Sequence, residues 1–193
     1  MLAHLRANLL LLVLTVTICS VLYPLTVLAV GQVLFPTTAA GSLVTGPDGK
    51  PVGSRLIAQE FKGEKYFQPR PSAAGYNAAG SGGSNLGANN PKLRERVEET
   101  LKGRSEKSGV PADAVTASGS GLDPHVTLKN ARGQLDRVAA WAAKSGGDAT
   151  KVRGVVEEVL SAAAFEPTAG LVGGGPLVNV LEVNLELARR FAK

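Results

Sequence analysis

The 193 residues carry 21 lysines and arginines against 16 acidic residues, with no arginine-rich run and few aromatics, a mild positive balance that excludes a nucleic-acid partner. The only cysteine, Cys19, lies in an apolar stretch, so the remainder has no disulfides and is held by its core alone. From Phe35 to Lys193 there are 159 residues of net charge +4, twenty basic against sixteen acidic, which suits one domain with a hydrophobic core.

In chain order the sequence divides into a cytoplasmic N-terminus (1–8), a transmembrane helix (9–30), a connector (31–54) and a domain (55–193). Leu9 to Val30 has 22 residues and no charge, a rise of roughly 33 Å that crosses the hydrocarbon core. His4 and Arg6 precede it, and no Lys or Arg follows until Lys50, which places the N-terminus inside and the domain outside the cytoplasmic membrane. Ala29 and Gly31 offer a signal-peptidase site, but the apolar run exceeds the usual secretory core, so a retained anchor is expected. Pro24 releases the carbonyl of Ser20 and predicts a kink. Thr15, Cys19, Leu22 and Thr26 recur at helical spacing. Such a stripe either packs on a partner helix or has its hydroxyls bonded to its own backbone, and the sequence leaves both open.

Leu43 and Val44 read as a short extended piece before a turn at Pro47, Asp48 and Gly49, and Arg55 to Phe61 reads as a strand. Gln68 to Asn90 is a long aperiodic stretch rich in glycine and asparagine. Asn90 and Pro91 open a helix with Leu93, Val97 and Leu101 inward and Gly103 at its end. Its charges alternate in sign through PKLRERVEETLKGRSEK, as on a solvated face. Ala114 to Ser118 is a strand candidate before the turn SGSGLDPH. Thr127 caps a helix to about Lys144 with Leu128, Leu135, Val138 and Ala142 inward, and Gly146 and Gly147 break the chain. Asp148 caps a third helix with Val152, Val155, Val156 and Val159 inward. LVNVLEV is a β-branched strand candidate and NLELARRFAK a closing helix. The fold class is a single N-terminal transmembrane helix plus one compact mixed α/β (α+β) extracytoplasmic domain.

The chain has no GxxxxGK[ST] phosphate loop, no TVGYG filter and no DKTGT phosphorylation sequence, so by itself it neither hydrolyses ATP nor conducts ions. His125 is the domain's one histidine. With Asp123, Ser118 and Ser120 it suggests a catalytic arrangement, against which Asp-Pro-His more often forms a rigid turn. SGGSNLG can cradle an anion through its amides or serve as a plain surface loop. The loop Gly80 to Asn90, with Ser81, Gly82, Gly83, Ser84, Asn85 and Asn89, is expected to be a partner-docking surface rather than a ligand site. So polar a loop loses much entropy on ordering and gains little from its own burial, so something else must hold it. Gly82 and Gly83 are expected to provide positive φ or close backbone approach.

Three segments together, YFQPRPSAAGYN with SGGSNLGANNP, ASGSGLDPH with QLDRVA, and VNVLEVNLEL, resemble the C subunit of the bacterial Kdp potassium-transporting ATPase. VGSRLIAQEF and the N-terminal helix match as well, so the resemblance spans nearly the whole chain. It marks Ser120, Gly121, Asp123, Pro124 and His125 as one family motif and Asn179 and Asn184 as another. Thr127 and Leu128 stand where many members carry a proline after DPH, and Leu177 where an arginine often precedes VNVL. The resemblance implies an accessory, non-catalytic subunit without cofactor of its own, in a complex where partners handle ATP and K+. Those partners are a channel-like potassium-binding subunit, a P-type ATPase subunit and a small single-helix subunit, in contact with membrane lipid. The family is also described as a catalytic chaperone raising the ATP affinity of the ATPase subunit. For a domain outside the membrane, that effect is indirect coupling through the complex. A membrane-tethered enzyme or a free-standing ligand-binding module are the alternatives.

Overall fold

The computed structural model describes residues 2–102, 104, 109–144, 148–170 and 174–191. Gly103, Gly146 and Gly147, expected to end helices, lie outside the described residues. The chain forms two compact units, Met1–Leu43 and Val44–Lys193.

The first unit is one helical run, Leu2–Leu34, of 33 residues, long and apolar enough to cross a membrane. It comprises α1 (Leu2–Val16), a π-helical turn (Thr17–Leu22) and α2 (Tyr23–Leu34), with no buried residue. Tyr23 N–H bonds the carbonyl of Ile18, five residues back. The disruption expected at Pro24 thus takes the form of a widened turn just before it. A short helix, α3 (Pro36–Ala39), comes next.

β1 (Leu43–Thr45) and β2 (Pro51–Ser54) make a two-stranded sheet. Their turn lies where expected: Gly46 N–H donates to Lys50 O at 2.9 Å and Lys50 N–H to Asp48 Oδ1 at 3.2 Å. Arg55 to Phe61 is not a strand. Ser54 accepts from Leu56 N–H through its hydroxyl (3.1 Å) and from Ile57 N–H through its carbonyl (3.3 Å), folding the segment into a turn. Ala114 to Ser118 is no strand either, because a 3₁₀ turn (Ala112–Ala114) leads in and the Thr116 amide and hydroxyl both return to Ala112 O.

α4 (Pro91–Lys102) starts as expected, with Asn90 Oδ1 accepting from Lys92 N–H at 3.0 Å. It buries nothing: Leu93 and Val97 are half-covered and Leu101 is exposed. Three apolar residues among charged neighbours make too narrow a stripe to fill a core position.

The core lies between α5 (Leu128–Ala143), α6 (Ala149–Ala163), α7 (Val180–Phe191) and an antiparallel pair, β3 (His125–Thr127) with β4 (Leu177–Asn179). Thr127 caps α5 through Asn130 N–H, and Asp148 caps α6 through the amides of Thr150 and Lys151, both as expected. The inner faces agree except at Val155, which is half-buried. LVNVLEV is a strand only as far as Asn179, whose Oδ1 accepts from Leu181 and Glu182 N–H and starts α7. Val180, Val183 and Leu187 are buried at helical spacing, so the β-branched run serves one helix face. Leu177 exchanges two backbone bonds with Phe165 at 2.8 and 2.9 Å. The result is a helical domain on a small sheet, with Phe67, 1 % exposed, reaching the core from an irregular segment.

Candidate functional site

Residues 67 and 68 carry the first family motif into the core without a strand to pair with. Side-chain amides replace the ladder. Asn184 on α7 accepts from Phe67 N–H at 2.8 Å and donates to Phe67 O at 3.0 Å. Gln134 on α5 does the same for Gln68, at 2.8 and 3.1 Å. Arg137 then donates to Tyr66 O at 3.0 Å, Glu64 O at 2.6 Å and Gln134 Oε1 at 3.0 Å. Asn130 joins the same face to Asp113, which accepts from Asn130 Nδ2 and from Thr127 N–H and hydroxyl. Beside this network is a cleft of about 420 Å³ lined in part by Tyr76, Thr100, Arg104 and Arg137.

The glycine-rich loops lie back to back. Gly82 N–H donates to Ser120 O at 2.8 Å, the Ser81 hydroxyl to the same oxygen at 3.1 Å, Ser118 N–H to Pro71 O at 2.9 Å, and the Ser72 hydroxyl to Gly121 O at 2.6 Å. Gly121 has φ +70°, and a Cβ there would stand 2.7 Å from Gly82 O; one on Gly83 would stand 2.9 Å from Gly119 O. Gly82 opens onto empty space, and Asn85 is the residue with positive φ, at 51°. What orders this loop from within is therefore the second motif, through Ser120 and Gly121. Ser81, Gly82, Asn85 and Asn89 remain exposed and Ser84 half-exposed.

Pro124, buried, leads the second motif into β3, and its carbonyl accepts from Val180 N–H at 3.0 Å. Asp123 Oδ1 accepts from His125 N–H at 3.0 Å and lies 3.2 Å from His125 Nδ1, and Asp123 Oδ2 is 3.5 Å from Arg70 Nη1. A carboxylate only accepts, so Nδ1 carries the proton. The ring's hydrogen bond, helped by the His125 amide and the Arg70 charge and opposed by partial burial, holds the Asp123 carboxyl below the usual carboxylate range. Phe165 meets the imidazole edge-on, centroids 5.4 Å apart. Ser118 and Ser120 hydroxyls bond each other at 3.2 Å and accept from Asp123 and Leu122 N–H. They hold the loop's shape rather than presenting a nucleophile to His125. Among the described residues no group of three or more His, Cys, Asp or Glu could hold a metal ion.

Asn179 ties Arg55 O (2.9 Å) to the start of α7, so both C-terminal motif asparagines brace irregular backbone. Asn130 escaped sequence reasoning, and Gln134, Arg137 and Arg70 entered it only inside the family segments QLDRVA and YFQPRPSAAGYN, with no role assigned. The available signal was polar Asn130 and Gln134 at i, i+4 within an otherwise apolar helix face. In the first unit, the Thr26 hydroxyl bonds Leu22 O at 2.8 Å. The π turn holds Cys19 and Leu22 between Thr15 and Thr26. One extra residue per turn rotates the downstream helix by about 100°, so the four do not share one α-helical stripe.

Residues 5–189 match the family described as KdpC: K+-transporting ATPase, c chain. A protein of Kineococcus radiotolerans named Potassium-transporting ATPase KdpC subunit is 48 % identical over 192 residues, covering 94 % of this chain and 91 % of its own. The protein of the same name from Geobacter sulfurreducens is 41 % identical over 190 residues, with 95 % and 96 % covered. Potassium-transporting ATPase KdpC subunit 2 of Staphylococcus aureus is 42 % identical over 192 residues, with 94 % and 96 % covered. With the uncharged run Leu9–Val30 and the motif loops all inside the matched region, the chain belongs to the KdpC family, the c chain of the K+-transporting ATPase.

Proposed function

We propose that this chain is the accessory, non-catalytic subunit of an ATP-driven potassium uptake complex, needed for its assembly and activity. The observation that carries the reading is the family match over residues 5–189. The chain is anchored by Leu2–Leu34 with its N-terminus in the cytoplasm and its domain outside, on the strength of the His4 and Arg6 flank. The membrane helix packs on a partner helix through the face the π turn leaves on either side of Pro24, not through one continuous stripe of Thr15, Cys19, Leu22 and Thr26. The exposed polar face of Gly80 to Asn90 docks on the outer face of the channel-like subunit, where donors and acceptors suit a shape-dependent interface. ATP and K+ are handled by the partners, and any influence on nucleotide affinity is transmitted through the complex.

Purification of the tagged full chain from bacterial membranes tests this. Stoichiometric channel-like, P-type ATPase and single-helix chains are expected, and recovery of the chain alone overturns the reading. A reporter enzyme active only outside the cytoplasm, fused after Lys193, tests topology: activity is expected, inactivity reverses the orientation.

A further inference from the structure

We infer that the backbone carbonyl of Cys19 is an open hydrogen-bond acceptor at the middle of the membrane, taken up by a donor side chain, a hydroxyl or an amide, of a neighbouring membrane helix. This rests on the proposed function, in which the helix spans the membrane within an assembly.

In an α-helix the Cys19 carbonyl accepts from the N–H of residue 23. Here the Tyr23 N–H bonds Ile18 O instead. The next donor a π turn offers is residue 24, and Pro24 has no N–H. Leu22, the donor of a 3₁₀ bond, lies inside the π turn, where N–H groups reach five residues back. The hydroxyl of Thr26 is occupied by Leu22 O at 2.8 Å. The backbone therefore leaves Cys19 O without an N–H. Proline alone, in unbroken α geometry, orphans the carbonyl of Ser20; with the π turn in place the donor position of the Cys19 carbonyl also falls on Pro24.

Position gives this consequence. Ten residues of the uncharged run Leu9–Val30 precede Cys19 and eleven come after it, so about 15 Å of helix separates it from either interface. Acyl chains carry no donors, water is scarce at that depth, and an unsatisfied carbonyl there is strongly disfavoured. The donor must come from protein. The acceptor is main-chain, so its determinant is Pro24 rather than the side chain at position 19.

Because the chain has one cysteine, cysteine carrying ¹³C at the carbonyl labels this group alone. The labelled full chain is placed in lipid bilayers at high dilution, and in parallel assembled with unlabelled partner chains, and the infrared amide I band of the labelled carbonyl is read. A non-bonded, high-frequency band is expected for the chain alone, shifting to lower frequency in the complex. Pro24→Ala restores an N–H and should give the low-frequency band in both states, with no shift on assembly. A bonded carbonyl in the chain alone, or an unshifted band in a complex shown by co-purification to be intact, overturns the inference and leaves the functional reading standing. Failure of any partner to co-purify overturns both.

Discussion

Asn184 holds both backbone groups of Phe67, from a position 117 residues further along the chain. Phe67 is 1 % and Asn184 4 % exposed, so the pairing is sealed from water. Asn184→Leu keeps the γ-branched outline of the side chain and strands one N–H and one C=O. At about 1–3 kcal/mol for each of the two orphaned groups, a loss of roughly 2–6 kcal/mol is expected. Thermal unfolding of the purified full chain should show it as a fall in Tm of about 2–4 °C per kcal/mol. An unchanged Tm removes the amide from the fold's essential ties.

Burial separates two leucines that look alike in sequence. Leu135 is 1 % exposed on α5 and Leu101 38 % on α4. Leu135→Ala should lose about 2–5 kcal/mol through cavity formation, whereas Leu101→Ala should lose roughly 0.5 kcal/mol. Equal losses in denaturant titrations of the two variants would contradict the placement of α4 on the surface.

What the sequence made legible was local. Asn90, Thr127 and Asp148 each cap a helix through an amide two or three residues away, and the apolar spacing from Leu128 to Ala142 belongs to one helix. Composition misled where a polar neighbour redirected the backbone: Ser54 turned Arg55–Phe61 away from strand geometry, and Asn179 ended a β-branched strand after three residues. At the candidate site, the need for something to hold the glycine-rich loop was readable from its composition. Its internal holder was not, because Ser81 meets Ser120 across 39 residues and Phe67 meets Asn184 across 117. Contacts between a side chain and distant irregular backbone leave no period in the sequence.

Asp123 links acid stability to the second motif. Its carboxyl is held below the ordinary value of 3.8, mainly by the His125 ring. A carboxyl depressed in the folded state stabilises it above the unfolded value, and this is lost as pH falls through the lower folded value. Asp123 is 36 % exposed, so solvent screening keeps the effect modest. Asp123→Asn should lower Tm at neutral pH, and the gap from the wild type should close as pH falls below 3.8. A gap constant from neutral to acid pH would show that the carboxylate charge is not what stabilises the loop.

The glycines of the SGG and SGSG loops separate docking from folding. Gly83 and Gly121 each stand where a Cβ would press on the opposing loop's backbone, at 2.9 Å and 2.7 Å, and Gly121 also has φ +70°. Side chains at either site must push the loops apart, so Gly121→Ala should lower Tm by itself and Gly83→Val should do the same. Gly82 has nothing within 4 Å of its Cβ position and points to open space. Gly82→Val should leave Tm of the full chain unchanged while obstructing any surface that lies flat against the loop. In the assembled complex it should then reduce recovery of this subunit or potassium-stimulated ATPase activity. Normal assembly and pumping with Gly82→Val would show that Gly80 to Asn90 is not the docking face. A fall in its Tm would show that a side chain at Gly82, as at Gly83, disturbs the loop pair.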